Sequence, residues 1–339
     1  MRKTIPAKNI IALLLFAGTL LAFVVCASNI VMPKRYELGA NWGAFTAEEP
    51  NSMDVVLFGS SMAYCNVIPA VIWEDSGLTT YIMAGPEQTP AVTYYYVKEM
   101  FRTQHPSAVL VESSCIHYTQ ATGRDAIKVN LGYMPYDAVR LEATFLAAPP
   151  EQRLGLIFPL YNYHDRWSEL TQDDYRLGLR GYAKDPLAGY HFLSESEPQD
   201  APRQRRIEQE PEDYAANLSW LLKIAALCQQ EGSRCIFYIS GSYAYFEENY
   251  LAELAGSLTA DTGAEFINCM ADLEQMELDP ARDFYDILHF NYAGAIKFSH
   301  YLSDKLTEMG VTPQRPFNDP QQWQSNIEHF HNLVLEAEG

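Results

Sequence analysis

Residues 54–62 place the strongest constraint on how this chain can fold. An apolar run, Val55-Val56-Leu57-Phe58, ends at Gly59 and is followed by two serines. A short apolar run that ends at a turn residue is typical of a buried strand in a parallel sheet. A helix is predicted over 68–74, where Pro69 suits the first turn. In open α/β sheets, a turn between a strand and the following helix lies at the edge that carries functional groups.

The same pattern of strand, turn and helix recurs along the chain. Further strands are predicted at 79–83, 108–112, 235–239 and 265–268, and helices at 88–104, 214–230, 245–258 and 292–309. Strands that alternate with helices form parallel sheets with right-handed connections. The sequence therefore predicts a three-layer α/β fold in which helices flank a mostly parallel five-stranded sheet.

The N-terminus predicts a membrane anchor. No residue from 9 to 33 is charged, and residues 10–27 would span about 27 Å as a helix, close to the thickness of a bilayer core. Arg2, Lys3 and Lys8 come before this stretch, so the positive-inside rule leaves the N-terminus in the cytoplasm. We therefore expect a single-pass protein whose remaining chain lies on the extracytoplasmic side of the cell membrane.

Two alternatives to an uncleaved anchor remain open. Val25-Cys26-Ala27 fits a signal-peptidase site, which would release the protein, and Cys26 by itself suggests a lipoprotein. Val25 is larger than the residue usually found before a lipoprotein cysteine. The apolar sequence also continues through 30–32, and this continuation favours the uncleaved anchor.

These features predict the domain organisation. Residues 1–33 form the anchor, 34–53 a linker, and 54–312 the α/β domain, which carries an insertion at about 118–212. A helical tail follows at 313–339. Long insertions of this kind are often lids or binding loops.

Composition excludes several classes of function. The formal charge of −19 argues against nucleic acid as a partner, because phosphate binding needs a basic surface. No cysteine pair has CxxC spacing, and no phosphate loop or dinucleotide fingerprint is present. We therefore expect neither a metal nor a cofactor. Cys228 and Cys235 flank a predicted helix-to-strand turn, but ordinary buried thiols are favoured over a disulfide.

A second reactive pattern lies near the end of the α/β domain. Asp286 and His289 are three residues apart, just before the last core helix. A histidine that acts as a general base needs a partner on one ring nitrogen and must reach the nucleophile with the other. A capping aspartate beside a surface histidine is the alternative for this pair alone. Caps of the turn and helix are likewise the alternative for Ser60 and Ser61.

Together the two patterns resemble the GDSL/SGNH hydrolase superfamily. Gly59-Ser60-Ser61 aligns with the Gly-Asp-Ser of that family, and Asp286 and His289 match its C-terminal Asp-x-x-His. The resemblance covers about residues 54–115 and 235–309 and implies a flavodoxin-like sheet. It implies that Ser61 is the nucleophile, His289 the base, and Asp286 the residue that orients the base.

The resemblance also implies an oxyanion hole. Gly85, after the second strand, aligns with the family's oxyanion glycine, so the backbone N–H groups of Ser61 and Gly85 would be donors. The family's third block supplies an asparagine, but here the third strand ends in Glu112-Ser113-Ser114. Ser114 is the substitute donor that the sequence offers.

The anchor, the insertion and Ser60, which stands where the family usually has aspartate, place the resemblance more narrowly. They resemble the membrane-anchored branch that includes proteins of teichoic acid D-alanylation and alginate O-acetylation. That likeness implies acyl-ester transfer or hydrolysis on an envelope glycan or polymer, beside a polytopic membrane O-acyltransferase. Two alternatives are a secreted esterase for small esters, and a non-catalytic glycan-binding or scaffold protein.

The insertion contains one further candidate group. His164, Arg166 and Trp167 lie in a dense polar and aromatic cluster. Aromatic rings stack on sugars, and Arg side chains bind hydroxyl groups, so these residues are predicted to line a substrate site. The alternative is that the Trp and an Arg–Asp pair pack the insertion onto the domain.

Overall fold

The structure, a computed structural model, describes residues 6–34, 42–119, 121–205, 210–314 and 320–339. These residues divide into two compact units. The first, the anchor unit, consists of the described part of Met1–Arg35 and of Pro149–Tyr182. The second, the sheet unit, consists of the described parts of Tyr36–Ala148 and Ala183–Gly339.

The described residues form helices and strands that alternate through most of the sheet unit. The strands are β1 (Val55–Gly59), β2 (Thr80–Ala84), β3 (Ala108–Glu112), β4 (Arg203–Gln204), β5 (Arg234–Ile239), β6 (Ala244–Tyr245) and β7 (Glu265–Asn268). The helices are α1 (Ala7–Val31), α2 (Trp42–Phe45), α3 (Ser61–Tyr64), α4 (Pro69–Ser76), α5 (Pro90–Met100), α6 (Ile127–Gly132), α7 (Ala138–Leu146), α8 (Arg153–Ile157), α9 (Pro159–Tyr163), α10 (Gln172–Arg180), α11 (Pro211–Glu231), α12 (Glu248–Thr259), α13 (Tyr292–Glu308) and α14 (Pro320–Glu338). Short 3-10 helices lie at Ser114–His117, Pro150–Gln152, Arg166–Glu169 and Cys269–Met276.

Five of the strands form one parallel sheet in the order β2-β1-β3-β5-β7. In the central strand β1, Val55 pairs with Thr80 of β2 on one side and with Ala108 of β3 on the other. Every residue of β1, β2 and β3 is buried. Continuous burial accounts for the unbroken apolar runs, because both faces of a parallel sheet are covered. The predicted fold class is confirmed.

Helices cover both faces of this sheet. On one face, Leu57 and Leu110 belong to an apolar core with Phe298 and Leu302 of α13, and α4 and α14 pack there too. Helices α5 and α11 contact the sheet through β1 and β5 and also pack against each other. Full burial of a side chain such as Leu contributes about 1.5–3 kcal/mol. The sheet is therefore a rigid frame for the loops at its carboxyl edge.

The insertion differs from its sequence-based description. Residues 173–206 contain many Gly, Pro and charged residues, a composition that favours loops, but Gln172–Arg180 is an α-helix. Its start is a capping box in which Thr171 accepts a hydrogen bond from the Asp174 N–H and the Asp174 carboxylate accepts one from the Thr171 N–H. Capping of this kind stabilises a helix of only nine residues, which would be marginal by itself.

The anchor unit is built around α1. Among the described residues, α1 is the helix that is long and apolar enough to cross a membrane. Its 25 residues give a length of about 37 Å. Within this unit α1 packs against α9 and α10. Residues 7–23 of α1 are all exposed, as expected for a helix that spans a membrane.

Candidate active site

The turn after β1 presents Ser61 at the carboxyl edge of the sheet. Gly59 has a φ of +153°, and a Cβ atom there would lie 2.7 Å from the Cβ of Glu112 on the neighbouring strand. A residue with a side chain would therefore force the two strands apart. Ser60 is extended, and Ser61 begins α3. The side chain of Ser60 makes no capping bond to α3, which argues against a purely capping role for this residue.

The loop that carries His289 is closed by its own hydrogen bonds. Phe284 and Phe290 form an isolated antiparallel bridge at its base. At its tip, the Asp286 Oδ1 atom accepts the backbone N–H groups of Leu288, at 2.7 Å, and of His289, at 2.9 Å. A carboxylate that binds the backbone two and three residues ahead fixes a tight turn. The spacing of Asp286 and His289 is thus a consequence of this turn.

Asp286, His289 and Ser61 form one hydrogen-bonded chain. The Asp286 Oδ2 atom lies 2.8 Å from His289 Nδ1, and His289 Nε2 lies 2.7 Å from Ser61 Oγ. Because the ionised carboxylate can only accept, Nδ1 carries a proton and Nε2 accepts the proton of Ser61. Burial raises the pKa of Asp286, but hydrogen bonds from His289 and the loop backbone outweigh it and hold that pKa below its ordinary value. Asp286 therefore stays ionised beside the ring.

This arrangement can activate the Ser61 hydroxyl. The side chain of His289 is 18% exposed, so a substrate can approach it while the ring remains held by Asp286. A serine hydroxyl becomes an effective nucleophile when a neutral imidazole within hydrogen-bond reach removes its proton. The distance of 2.7 Å lies within that reach.

The predicted oxyanion donors differ in their present bonding. Among the described residues, the Ser61 N–H has no acceptor, so it is free to bind an oxyanion. The Gly85 N–H donates to the Gly59 carbonyl at 3.3 Å. The Ser114 hydroxyl donates to the Glu112 carboxylate at 2.7 Å, and burial raises the pKa of that carboxyl. Gly85 and Ser114 would have to release these acceptors, and their oxyanion role stays a prediction.

Asn66 connects the two halves of the site and was not singled out from the sequence. Its Oδ1 atom accepts the Phe290 N–H at 3.0 Å, and its Nδ2 atom donates to Ser240 Oγ at 3.0 Å. Asn66 is fully buried and lies five residues after Ser61. It thereby ties the segment after Ser61 to the residue next to His289. The sequence signal that could have indicated Asn66 is its position as a polar residue between the apolar residues Cys65 and Val67.

Arg205 also lies beside the turn that carries Ser61. Arg205 Nη1 is 3.7 Å from the sulfur of Met62, the residue after Ser61, and Arg205 Nη2 donates to His117 Nε2 at 2.9 Å. Burial and the Arg205 charge lower the pKa of His117 to about 3. His117 is therefore neutral at physiological pH. Arg205 lies in an irregular segment, and no sequence pattern indicated its position.

The three substrate-binding candidates of the insertion all lie in the anchor unit, whereas Ser61 lies in the sheet unit. His164 Nδ1 is 3.0 Å from the Tyr161 carbonyl oxygen. Arg166 donates to the carbonyl of Val31 at the end of α1, and Trp167 is 50% exposed. The contacts of Arg166 thus give it a role in capping α1, and substrate binding by the three residues stays a prediction.

Comparisons with known proteins give distant similarity at most. No family model and no curated protein matches this chain. The structure is similar to a solved Bacteroides fragilis protein described as a "putative acylhydrolase", with 10% sequence identity and a TM-score of 0.39. That match covers 82% of this chain and 99% of that chain. A likeness at this distance transfers no residue role to Ser61, His289 or Asp286.

Proposed function

We propose that this protein performs serine-dependent acyl-ester transfer or hydrolysis through an acyl intermediate on Ser61. The observation that carries the proposal is the chain of hydrogen bonds from Asp286 through His289 to Ser61, with distances of 2.8 Å and 2.7 Å. Two segments 228 residues apart in sequence meet with the spacing that nucleophilic catalysis needs. The resemblance to GDSL/SGNH hydrolases points to the same three residues.

The proposed reaction has two halves. In the first, His289 Nε2 takes the Ser61 proton while Oγ attacks the ester carbonyl, and the tetrahedral oxyanion binds the Ser61 N–H. The intermediate collapses, the alcohol leaves with the proton from His289, and the acyl group stays on Ser61. In the second half, water or an acceptor hydroxyl gives its proton to His289 and attacks the acyl-serine. The acyl group then leaves on the acceptor, and Ser61 regains its proton.

The finer proposal concerns the acceptor and the location. We propose that the acceptor is a glycan or polymer of the cell envelope, on the extracytoplasmic side, and that a polytopic membrane O-acyltransferase is the partner. The resemblance to the membrane-anchored branch supports this, as does α1, which is long and apolar enough to span a bilayer. Basic residues before α1 support an N-terminus in the cytoplasm.

A specific observation favours a second candidate function, a non-catalytic glycan-binding or scaffold protein. Two of the predicted oxyanion donors, the Gly85 N–H and the Ser114 hydroxyl, already bind acceptors within the protein. Loss of one oxyanion donor typically costs about 3–4 kcal/mol of transition-state stabilisation. A site that kept its nucleophile but lost these donors would bind an acyl glycan with little turnover.

Ester hydrolysis by the full-length protein in detergent tests the proposed chemistry. We expect nitrophenyl acetate to be cleaved, and we expect Ser61→Ala to abolish this cleavage. Ser60→Ala is the matched control, because its hydroxyl belongs to the same turn, whereas the described bonds of the His289 ring are to Asp286 and Ser61. Equal rates for the wild-type protein and Ser61→Ala would contradict the proposal.

A genetic test separates the enzyme from the scaffold. In a host strain that lacks the native copy, the content of O-acyl esters on the envelope polymer is compared between wild-type and Ser61→Ala complementation. The enzyme requires Ser61, so we expect the variant to fail. Full restoration by Ser61→Ala at equal membrane abundance would favour the scaffold.

Protease added to intact spheroplasts tests the location, and we expect it to digest the sheet unit.

A further inference from the structure

The C-terminal end of α1 is capped by charged side chains from the anchor unit. Arg166 Nη1 donates to the Val31 carbonyl, and Lys34 Nζ donates to the Met32 carbonyl at 2.7 Å. Asp174 balances both cations, at 3.5 Å from Arg166 and 3.9 Å from Lys34. The last carbonyls of a helix have no partner within it, and cations near that end also favour the helix dipole. This polar cap marks where the apolar span ends.

The segment 149–182 packs directly on that end of the span. A Cβ atom at Gly178 of α10 would lie 2.9 Å from the Asn29 carbonyl oxygen, so the two helices approach each other more closely than side chains would allow. Helix α9 also packs on α1. Ala27, Ser28 and Val31 are buried there, whereas most of the earlier part of α1 is exposed. The contact between α1 and the segment 149–182 is thus confined to the C-terminal end of α1.

The outer surface of this segment is unusually apolar. Six large apolar or aromatic side chains that belong to its 34 residues are exposed by 46–63%, namely Leu154, Phe158, Tyr161, Trp167, Tyr175 and Leu179. The described residues of the entire sheet unit expose only seven such side chains. Exposed apolar side chains at this density mark an interaction surface rather than ordinary variation of a protein surface.

Helix α10 shows how this surface is organised. Tyr175 and Leu179 are four residues apart and exposed on one side of the helix, whereas Gly178 faces Asn29 of α1. Asp173 and Arg176 lie on another side and pair with each other at 2.9 Å. An amphipathic helix with aromatic residues on its apolar side and arginines on its polar side is typical of helices that lie in a membrane interface.

We infer that residues 149–182 form a collar that rests in the lipid interface around the exit of α1, with its exposed apolar and aromatic side chains inserted at the boundary between headgroups and acyl chains. The inference rests on the proposed membrane anchor and does not depend on the proposed chemistry. A lipid surface is the occupant that the position favours, because the collar is continuous with the span itself. Tyr161, Trp167 and Tyr175 have the amphipathic rings that concentrate at this depth of a bilayer.

The charge of the collar agrees with lipid contact. It carries four arginines and five acidic residues, whereas the whole chain has a formal charge of −19. Arginine side chains can extend toward lipid phosphates while their stems cover apolar surface. The collar would have a positioning function. Held in the interface, it would limit how far the chain that follows α1 tilts and how far it stands from the membrane surface.

Nitroxide labels on α10 test the inference in the full-length protein, reconstituted in phosphatidylcholine nanodiscs. Labels are attached to Leu179→Cys and, as the matched control, to Asp173→Cys, in a Cys26→Ser background, since the other five cysteines are buried. Both positions belong to one helix and are 60% exposed. We expect the label at 179 to collide more often with oxygen, which concentrates in lipid, and the label at 173 to collide more often with a water-soluble nickel complex.

Trp167 provides a second measurement that needs no label. Phosphatidylcholine with bromine near the headgroup end of its chains should quench tryptophan fluorescence of the wild-type protein more strongly than that of Trp167→Phe. Equal quenching of the two proteins, or equal nickel accessibility at 173 and 179, would overturn the inference and leave this surface for a protein partner. Failure of the chain to co-elute with nanodiscs would overturn both the anchor and the collar. None of these outcomes bears on ester cleavage by Ser61.

Discussion

The carboxylate of Asp286 sets the chemical state of the residue next to it. It accepts two backbone N–H groups through one oxygen and the His289 ring through the other. Because a carboxylate cannot donate, His289 must hold its proton on Nδ1 and present a lone pair at Nε2. One side chain therefore fixes the turn, the ring orientation and the tautomer.

Replacement of Asp286 by Asn tests this role. The Asn amide can keep the backbone bonds through its oxygen, but its NH₂ group faces Nδ1 and favours the tautomer with a proton on Nε2. We expect kcat for ester cleavage to fall by about three to four orders of magnitude. The thermal unfolding temperature, measured alongside, should change little. An activity within tenfold of the wild type would rule out the proposed role of Asp286.

Asn66 is expected to be a positioning residue. In Asn66→Ala the buried N–H of Phe290 loses its acceptor, which should cost about 1–3 kcal/mol of stability and loosen the His289 loop. We expect kcat to fall at least tenfold with KM nearly unchanged, because misplacement of a reacting group affects the chemical step. Ser240→Ala is the control, since it leaves the bond between Asn66 and Phe290 intact. A raised KM with an unchanged kcat would argue against this role.

His117 makes stability depend on pH. Its pKa in the folded protein is lowered to about 3, mainly by burial, whereas an unfolded histidine titrates near 6.5. Between these values the unfolded state binds the additional proton, so stability falls as pH falls. From pH 7 to pH 5 this group should account for about 2 kcal/mol of lost stability. His117→Gln should flatten the dependence of the unfolding free energy on pH over that range, and an unchanged slope would contradict the assignment.

At the scale of elements, the turn from β1 to α3 depends on Gly59. A methyl group there would meet the Cβ of Glu112 at 2.7 Å, and the φ of +153° is unfavourable for other residues. Gly59→Ala should therefore lower the free energy of unfolding by at least about 1–3 kcal/mol. Gly256→Ala is the control, because Gly256 lies within α12 with open space around it, and Ala there should stabilise by up to about 1 kcal/mol. Equal effects of the two substitutions, measured by chemical denaturation, would contradict this account.

The elements also show what sequence patterns can predict. The buried strands were found within a residue of their ends, because an apolar run such as Val55–Gly59 is set by burial on both faces. Helix α10 is not indicated by the sequence because it is only nine residues long and lies in a stretch rich in Gly, Pro and charged residues. Ser61, Asp286 and His289 could be proposed from their local motifs. Asn66 and Arg205 could not, because their importance comes from contacts between segments distant in sequence.

At the scale of the whole molecule, the parallel sheet brings the reactive groups together. Ser61 follows the central strand β1, and the loop with His289 precedes α13, which packs beside α4 on one face of that sheet. Parallel strands collect their following loops at one edge, so residues 228 apart meet there. The anchor unit holds the apolar helix α1, and the inferred collar would give this unit a contact with the membrane.

The central claim is that Ser61 is the nucleophile, and covalent labelling tests it most directly. The full-length protein is treated with a fluorophosphonate, and the modified residue is located by peptide mass spectrometry. We predict one adduct, on Ser61, which is lost in His289→Ala and in heat-unfolded protein but kept in Ser60→Ala. An adduct on another serine of the folded protein, or labelling of Ser61 that does not need His289, would contradict the account.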